Sequence, residues 1–289
     1  MVSMMKAGDE FGTLYVVATP IGNLDDLTQR AIQTFSKVDL IIAEDTRHTR
    51  KLLSFLGIEQ PLQAYHDHNE AEKTEKILQL LQQKKDIALV SDAGTPLISD
   101  PGYILVKKCR ELGVKVITIP GVSALVTALS VSGLPTDSFR FNGFPPRQIS
   151  KRREFFEGFF KETATLVFYE SSHRIKDFLV DAVAVFGEDR QACLARELTK
   201  LYETVMTASL AELLELVESD DNQQKGEFVL MIQGAETASQ ASAIEIDSDK
   251  VLKTLLEELP VKQAVGLTAK ITGLKKNQLY QRALVIKAG

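Results

Sequence analysis

Short hydrophobic runs alternate with longer amphipathic segments along most of the chain. The runs are rich in β-branched residues, whereas the longer segments repeat apolar residues near the i, i+3, i+4 spacing of a helix. This alternation predicts α/β architecture, and the nearly continuous apolar runs are typical of strands covered on both faces. The predicted strands are Leu14–Ala18, Leu40–Ala43, Ile87–Val90, Val114–Ile119, Leu166–Tyr169, Cys193–Ala195 and Phe228–Ile232, and the predicted helices are Asp26–Phe35, Glu70–Gln83, Tyr103–Leu112, Ser123–Ser132, Ile175–Phe186 and Leu210–Glu218.

Two stretches of turn-forming and small polar residues interrupt this pattern. Residues 133–146 have the turn chemistry of a connection between two α/β halves, and residues 235–250 read as a linker. Beyond the linker, helix, glycine-containing turn and helix give the outline of a helix-turn-helix, or else of a small helical cap. We therefore predict a disordered N-terminus (1–12), two α/β lobes (13–121 and 122–234), a linker (235–250) and a small basic helical domain (251–289).

The composition is that of an ordinary globular protein. Hydrophobic residues make up 44% and charged residues 25% of the chain, which disfavours disorder, and no segment has the apolar length of a membrane span. Cys109 and Cys193 lie far apart and form no metal-binding pair, as expected in a reducing compartment. We expect a cytoplasmic protein without a membrane partner.

The net charge of −5 conceals two basic segments. Residues 140–153 hold five basic and no acidic side chains, and residues 251–289 hold seven basic and two acidic ones. Such segments suit contact with phosphates, although solvated charged faces would have the same composition. The candidate RNA-binding residues are Arg147, Lys151, Arg152, Arg153, Lys275, Lys276 and Arg282.

Three predicted strands of the first half end in loops rich in glycine, proline and small polar residues. These loops are Thr19–Leu24, Ser91–Gly102 and Pro120–Ala124, where Ser123 is placed to cap the following helix. Open α/β sheets bind ligands at such strand ends, so the three loops predict a crevice. None of them has the glycine spacing of a dinucleotide fold or a P-loop.

Two other kinds of site are disfavoured. His66, Asp67 and His68 alternate in one short loop and lack the partners and spacing of a zinc site, so no metal is expected. Ser171 and His173 are not accompanied by the nucleophile elbow of an α/β hydrolase.

The motifs resemble those of a known family when they are taken in order. Val17–Leu24, Ala43–Arg47, Ser91–Gly102, Pro120-Gly121 and Glu170–Arg174 are similar to motifs of the ribosomal RNA small subunit methyltransferase I family, within the tetrapyrrole methylase-like class. The similarity spans roughly residues 12–234, and the last forty residues resemble the helical C-terminal domain of the same family.

The resemblance implies a two-lobed fold with S-adenosylmethionine in the cleft between the lobes. It also implies a homodimer that methylates a cytidine 2′-hydroxyl in the decoding region of 16S rRNA, within the small ribosomal subunit. The implied cofactor-binding residues are Pro20, Gly22, Asp92, Ala93, Gly94, Thr95, Ser99, Pro101, Gly102, Pro120, Gly121, Ser123, Tyr169 and Glu170.

A ribose hydroxyl is a weak nucleophile, so an acceptor for its proton is expected beside it. Glu44, Asp45, Glu170 and His173 are candidate catalytic residues because each follows or ends a predicted strand, but Glu44 and Asp45 could instead pair with Arg47 or Arg50. Two further functions stay open from the residues: a small-molecule (tetrapyrrole) methylase, which has no use for a basic tail, and a non-catalytic nucleic-acid-binding protein.

Overall fold

The computed structural model describes residues 10–66, 70–235, 248–272, 274 and 276–288. The chain divides into two compact units, of which one ends at Gly234 and the other begins at Ala235. Within the described residues, no helix is long and apolar enough to cross a membrane.

The first unit begins with a five-stranded parallel sheet, which confirms the predicted α/β fold class. Its strands are β1 (Leu14–Val17), β2 (Leu40–Ala43), β3 (Leu62–Ala64), β4 (Ile87–Val90) and β5 (Val116–Ile119), in the order β3-β2-β4-β1-β5. Helices α1 (Gln29–Phe35), α2 (Thr46–Phe55), α3 (Glu70–Gln82) and α4 (Tyr103–Glu111) lie between these strands in the chain.

The order of the strands creates a crevice between β1 and β4. These two strands are neighbours, but the chain leaving β1 continues on one side to β2, whereas the chain leaving β4 continues on the other side to β5. Their connections therefore diverge, and the carboxyl ends of β1 and β4 are a topological switch point, where open α/β sheets bind ligands.

A second five-stranded sheet completes this unit. Strands β6 (Phe139–Phe141), β7 (Thr165–Ser171), β8 (Gln191–Arg196), β9 (Thr204–Ser209) and β10 (Glu227–Ile232) have the order β6-β7-β10-β8-β9, and only β6 and β7 pair in parallel. Helices α5 (Ala124–Val131), α6 (Ile149–Glu157), α7 (Ile175–Phe186) and α8 (Leu210–Ser219) accompany it. Phe156, Phe168 and Phe178 pack edge to face in its core.

Five elements were not predicted from the pattern. Strands β3 and β6 have three residues each, and β3, β6 and β9 are edge strands without buried residues, so they lack the apolar run of a central strand. Helices α2 and α6 are rich in Arg, Lys, Thr and Ser, which masked their apolar positions.

The described residues of the second unit form three helices, α9 (Ser248–Glu258), α10 (Val261–Thr272) and α11 (Lys276–Ala288). Their small core includes Leu252, Val265 and Leu279. Helix α9 begins three residues before the predicted start at Val251 and therefore includes the end of the predicted linker, whose residues 236–247 lie outside the described residues.

Arg152 corrects the predicted set of RNA-binding residues. It is only 1% exposed, and its guanidinium lies 2.6 Å from the Asp181 carboxylate, which also accepts a hydrogen bond of 2.6 Å from Arg153. A guanidinium buried in this ion pair does not reach a phosphate on the surface. Its role in the fold is to hold α6 against α7.

Replacing Asp181 tests this ion pair. Asp181→Asn keeps the shape of the side chain but leaves the Arg152 charge buried without a counterion, so we expect the free energy of unfolding to fall by about 3–5 kcal/mol. Arg153→Ala removes the exposed partner and is expected to cost about 1 kcal/mol or less. Denaturant unfolding followed by circular dichroism measures both changes, and equal losses would contradict the assignment.

Candidate functional site

A cavity of about 540 Å³ lies where the loops after β1, β4 and β5 meet the second sheet. Its volume is in the range of small-molecule and cofactor sites. The first sheet and its loops contribute Ile21, Glu44, Asp92, Ala93, Gly94, Thr95, Ile98, Ser99, Asp100 and Ser123; α5, the second sheet and its loops contribute Ala124, Phe144, Tyr169, Glu170, Ser171, Ser172, Ala195, Leu198, Gly226, Glu227, Phe228 and Val229.

The three loops of the first sheet are tied into one wall. Thr19 and Gly94 exchange two backbone hydrogen bonds of 2.9 Å, which join the β1 loop to the β4 loop. The Thr95 hydroxyl donates to the Val122 carbonyl over 3.0 Å and so joins the β4 loop to the β5 loop. This wall forms one side of the crevice that the three glycine- and proline-rich loops predict.

The β4 loop holds strained backbone beside the cavity. Leu97 and Ser99 have φ angles of 73° and 69°, in the left-handed region that non-glycine residues rarely adopt. The loop ends on the buried carboxylate of Glu70, which accepts hydrogen bonds of 3.1 Å from the backbone nitrogens of Gly102 and Ile104. This anchor fixes the loop at the end of the strained segment.

Tyr169 anchors the opposite wall. Its hydroxyl accepts a hydrogen bond of 3.1 Å from the backbone nitrogen of Leu125, in the first turn of α5. Its ring meets the rings of Phe141 and Phe144 edge to face. Burial raises the pKa of Tyr169, so this hydroxyl stays protonated at neutral pH.

Glu170 is the most buried carboxylate of the lining. Its Oε1 accepts a hydrogen bond of 2.8 Å from the backbone nitrogen of Ser171. Arg174 lies 3.1 Å from Oε2, an ion pair whose angles leave Oε2 without a hydrogen bond. Burial raises the pKa of Glu170, and the Ser171 hydrogen bond and the Arg174 charge oppose that rise only in part.

The lining of the cavity is acidic. It includes five carboxylates, and none of the lining residues is Lys, Arg or His. A cationic ligand would neutralise part of this charge, whereas an anionic ligand would be repelled. The carboxylates are Glu44, Asp92, Asp100, Glu170 and Glu227.

Eight of the fourteen candidate cofactor-binding residues line the cavity. The other six lie in the supporting loops but outside the lining: Pro20, Gly22, Pro101, Gly102, Pro120 and Gly121. A Cβ on Gly121 would lie only 3.0 Å from the Ala18 Cβ, so this glycine lets the β1 and β5 loops approach each other. The lining residues are Asp92, Ala93, Gly94, Thr95, Ser99, Ser123, Tyr169 and Glu170.

Ser123 does not have its predicted capping role. It occupies the N-cap position of α5, but its side chain makes no capping hydrogen bond. The link between this turn and the second sheet is made by the next residues of α5, because the Leu125 backbone nitrogen donates to the Tyr169 hydroxyl.

The candidate catalytic residues separate into two groups. Glu44 and Glu170 line the cavity, whereas Asp45 and His173 do not. Asp45 caps α2 and forms an ion pair with Arg47, which holds the pKa of Asp45 well below its usual range. The structural pairing considered for Asp45 is therefore present, and a carboxylate held in this way is a poor proton acceptor.

Asp92 links the cavity to the start of α2. Its Oδ1 accepts a hydrogen bond of 2.9 Å from the Asp45 backbone nitrogen, and its Oδ2 lies 3.4 Å from His48 Nδ1. Side-chain atoms of Asp45, His48 and Asp92 lie within 4.8 Å of one another, a grouping the sequence did not indicate. In the His66–His68 loop, Asp67 and His68 lie outside the described residues.

More than half of the residues that line the cavity were not among the candidate site residues predicted from the sequence. Residues 226–229 reach the cavity because β10 lies in the middle of the second sheet, between β7 and β8. Asp100 lies within the predicted loop Ser91–Gly102, and its carboxylate was the available signal. Phe144 carried a weaker signal, an aromatic residue between Gly143 and Pro145.

Comparisons with known proteins agree with this fold. Residues 13–214 match the family model of tetrapyrrole (corrin/porphyrin) methylases, and residues 242–287 match the model of the RsmI C-terminal HTH domain. The chain resembles the crystal structure of uroporphyrin-III-C-methyltransferase from Thermus thermophilus with a TM-score of 0.53 and 20% identity, over 77% of this chain and 94% of that one. At that identity the likeness concerns the fold alone.

Closer relatives share nearly the whole length. The chain is 51% identical to ribosomal RNA small subunit methyltransferase I of Escherichia coli O157:H7, over 98% of this chain and 99% of that one. It is 50% identical to the protein of the same name from Haemophilus influenzae strain Rd, over 96% and 98% of the two chains. The chain therefore belongs to the tetrapyrrole methylase family, in the ribosomal RNA small subunit methyltransferase I branch, and is a methyltransferase.

S-adenosylmethionine is the methyl donor of this family. The cavity fits it in size, and its carboxylates suit a molecule that carries a sulfonium and an ammonium group, although Glu170 and Glu227 already pair with Arg174 and Lys200. Loops of small residues allow the backbone to approach such a ligand closely.

Glu170→Gln tests the raised pKa of this buried carboxyl. The folded state holds the Glu170 proton more tightly than the unfolded state, so the stability it contributes is complete below the ordinary pKa of 4.5 and is lost as pH rises through the folded value. We expect the wild type to lose stability relative to Glu170→Gln as pH rises above 4.5, by about 1.4 kcal/mol per unit of pKa shift.

Unfolding by denaturant at pH 4 to 8 measures this difference, at pH values that bracket the shift. Glu75→Gln, at an exposed position on α3, provides the matched control and is expected to follow the wild-type profile. Parallel profiles of the wild type and Glu170→Gln would contradict the assignment.

Proposed function

We propose that this protein transfers a methyl group from S-adenosylmethionine to the 2′-hydroxyl of a cytidine in the decoding region of 16S rRNA. The observation that carries the proposal is the acidic cavity at the switch point, in a chain about half identical to proteins named for methylation of small-subunit rRNA. The candidate cofactor-binding residues that line the cavity are proposed to bind the methyl donor: Asp92, Ala93, Gly94, Thr95, Ser99, Ser123, Tyr169 and Glu170. Pro20, Gly22, Pro101, Gly102, Pro120 and Gly121 are proposed to shape its loops.

The donor supplies an already activated methyl group, so the protein's task is to position the acceptor and exclude water. The wall joined by Thr19, Gly94 and Thr95 holds the donor side of the cavity, and Tyr169 and Glu170 form the acceptor side. Glu44 is the proposed proton acceptor for the ribose hydroxyl, because its carboxylate belongs to the cavity lining. Glu170 is the second candidate: burial raises its pKa, but its side chain is fully buried and held by Ser171 and Arg174.

Positive charges outside the cavity are proposed to hold the RNA backbone. Arg147, Lys151 and Arg153 are exposed at and before the start of α6, and Lys276 and Arg282 are exposed on α11. Lys275 lies outside the described residues. Because the cavity is acidic, phosphates would remain on these basic residues while the uncharged ribose enters.

We further propose that the protein acts in the cytoplasm as a homodimer, on rRNA within the small ribosomal subunit. The two-lobe division at residues 121 and 122 is likewise proposed. It is supported by the separation of the two sheets, since β5 ends at Ile119 and β6 begins at Phe139.

Labelled methyl transfer tests the function directly. S-adenosylmethionine with a labelled methyl group is supplied with small ribosomal subunits, naked 16S rRNA and a tetrapyrrole in parallel reactions. We expect label on the ribose of a decoding-region cytidine, where 2′-O-methylation blocks alkaline cleavage. Label on the tetrapyrrole alone, or RNA binding without transfer, would contradict the proposal.

Two glycine variants provide the matched comparison in this assay. Gly94 and Gly57 both have positive φ, 80° and 67°, so valine strains the backbone at either position. A side chain at Gly94 enters the cavity beside Ile21, whereas Gly57 has open space around it. We expect Gly94→Val to lose at least about tenfold in kcat/KM for the donor, and Gly57→Val to stay within about twofold.

A further inference from the structure

An exposed aromatic ring stands at the cavity. Phe144 lines the cavity but is 56% exposed, and among the described residues its ring meets only that of Tyr169, with centroids 5.7 Å apart. Most of the phenyl surface therefore lies open to solvent beside the proposed site of methyl transfer. Ile98, the other large hydrophobic residue of the lining that is exposed, is less so, at 36%, and it has no π-face to offer.

The loop that carries Phe144 is held rigidly. The Gly143 carbonyl accepts a hydrogen bond of 2.9 Å from the Tyr169 backbone nitrogen, and Arg174 donates to the Pro145 carbonyl over 2.7 Å. Pro145 and Pro146 also restrict the backbone directly after the ring. The backbone that carries the ring is thus held in place at the cavity.

The buried Arg152 also contacts the loop that carries Phe144. It donates to the Arg147 carbonyl at 3.5 Å while it pairs with Asp181. Arg147 itself is exposed three residues after Phe144, and Lys151 is exposed one turn further along the chain. The loop therefore presents an aromatic ring and two cations on a fixed backbone.

We propose that Phe144 stacks on an unpaired nucleobase of the RNA, at or next to the nucleotide that is methylated. This inference rests on the function proposed above and identifies how that site recognises its substrate. Single-stranded RNA is commonly bound by aromatic stacking together with contacts from basic side chains to phosphates. Charge places the base and the phosphates on different surfaces. Phosphates are attracted by Arg147 and Lys151 but are repelled by the five carboxylates of the cavity.

Steady-state kinetics of Phe144→Ala test the proposal in the full-length protein. We expect the KM for small ribosomal subunits to rise roughly 5- to 150-fold, the range that corresponds to one base–aromatic stack. The Kd for S-adenosylmethionine, measured by calorimetry, is expected to remain within about twofold. Phe144→Tyr keeps a ring and is expected to restore most of the affinity, whereas Phe144→Leu keeps apolar volume without a π-face and does not.

Phe55→Ala provides the matched control. Phe55 is 67% exposed at the end of α2 and does not line the cavity, so its loss removes a comparable exposed ring without affecting substrate binding. An equal rise in KM for Phe55→Ala would overturn the proposal.

The dependence of affinity on salt separates stacking from charge. Removing a phosphate contact lowers the slope of log affinity against log salt by about 0.7 for a single strand. We therefore expect Arg147→Ala to reduce the slope by about this amount, and Phe144→Ala to weaken binding without changing it. A reduced slope in Phe144→Ala would overturn the proposal.

A fluorescent reporter detects the stack itself. The chain contains no tryptophan, so Phe144→Trp introduces the single indole of the protein. We expect its emission to be quenched when an unpaired RNA oligonucleotide is added, and the emission of Phe55→Trp to stay unchanged. This readout does not depend on turnover and also shows that the variant is folded.

Two further results would overturn the inference while leaving the proposed function intact. One is wild-type KM for RNA in Phe144→Ala, and the other is a Kd for S-adenosylmethionine that rises as much as the KM, which would make Phe144 a wall of the donor site. Failure of the wild type to methylate 16S rRNA would instead remove the proposed function itself.

Discussion

The pair of backbone hydrogen bonds between Thr19 and Gly94 is the constraint on which the site depends. It joins the loops of two neighbouring parallel strands at the point where their connections diverge. A crevice at a switch point is otherwise only an opening between loops, and each loop could move by itself. The Thr95 bond to Val122 extends the tie to the third loop, so the three loops form one connected wall. The strain at Leu97 and Ser99 persists because this wall and the Glu70 anchor hold both ends of the β4 loop.

Charge is separated around this wall in a way that the net charge of the chain does not reveal. Carboxylates line the cavity, whereas the exposed cations of the 140–153 segment begin outside it. The acidic cavity therefore suits a cationic methyl donor, and the basic segment of the same unit suits an anionic RNA strand. Arg152 lies between the cavity and the basic segment. Its buried guanidinium pairs with Asp181 and also donates to the Arg147 carbonyl, in the loop that joins them.

The parts of the fold with strong local signals were predictable from the sequence. Strands β1, β4 and β5 are apolar runs, and glycine and proline marked their loops, so the crevice followed from the rule for parallel sheets. The second sheet was harder to predict from the sequence, because its mixed strand order depends on pairings between segments far apart in the chain. Gly226 and Phe228 reach the cavity only through that order.

Side-chain roles depended on tertiary neighbours in the same way. Arg152 looked like a surface cation among other cations, and only the position of Asp181 on α7 shows that it is buried. Ser123 looked like a helix cap, but its side chain makes no capping hydrogen bond at the start of α5. Composition and spacing carry no information about such partners. The resemblance to a family supplied the cofactor and the substrate, which the loops by themselves left open.

The most direct test of the account is a crystal structure of the protein with S-adenosylmethionine. The account predicts the donor in the cavity, against the wall formed by Thr19, Gly94 and Thr95, with its methyl group facing the side of Tyr169 and Glu170. Density for the donor outside this cavity, or with the methyl group turned away from Tyr169 and Glu170, would contradict it.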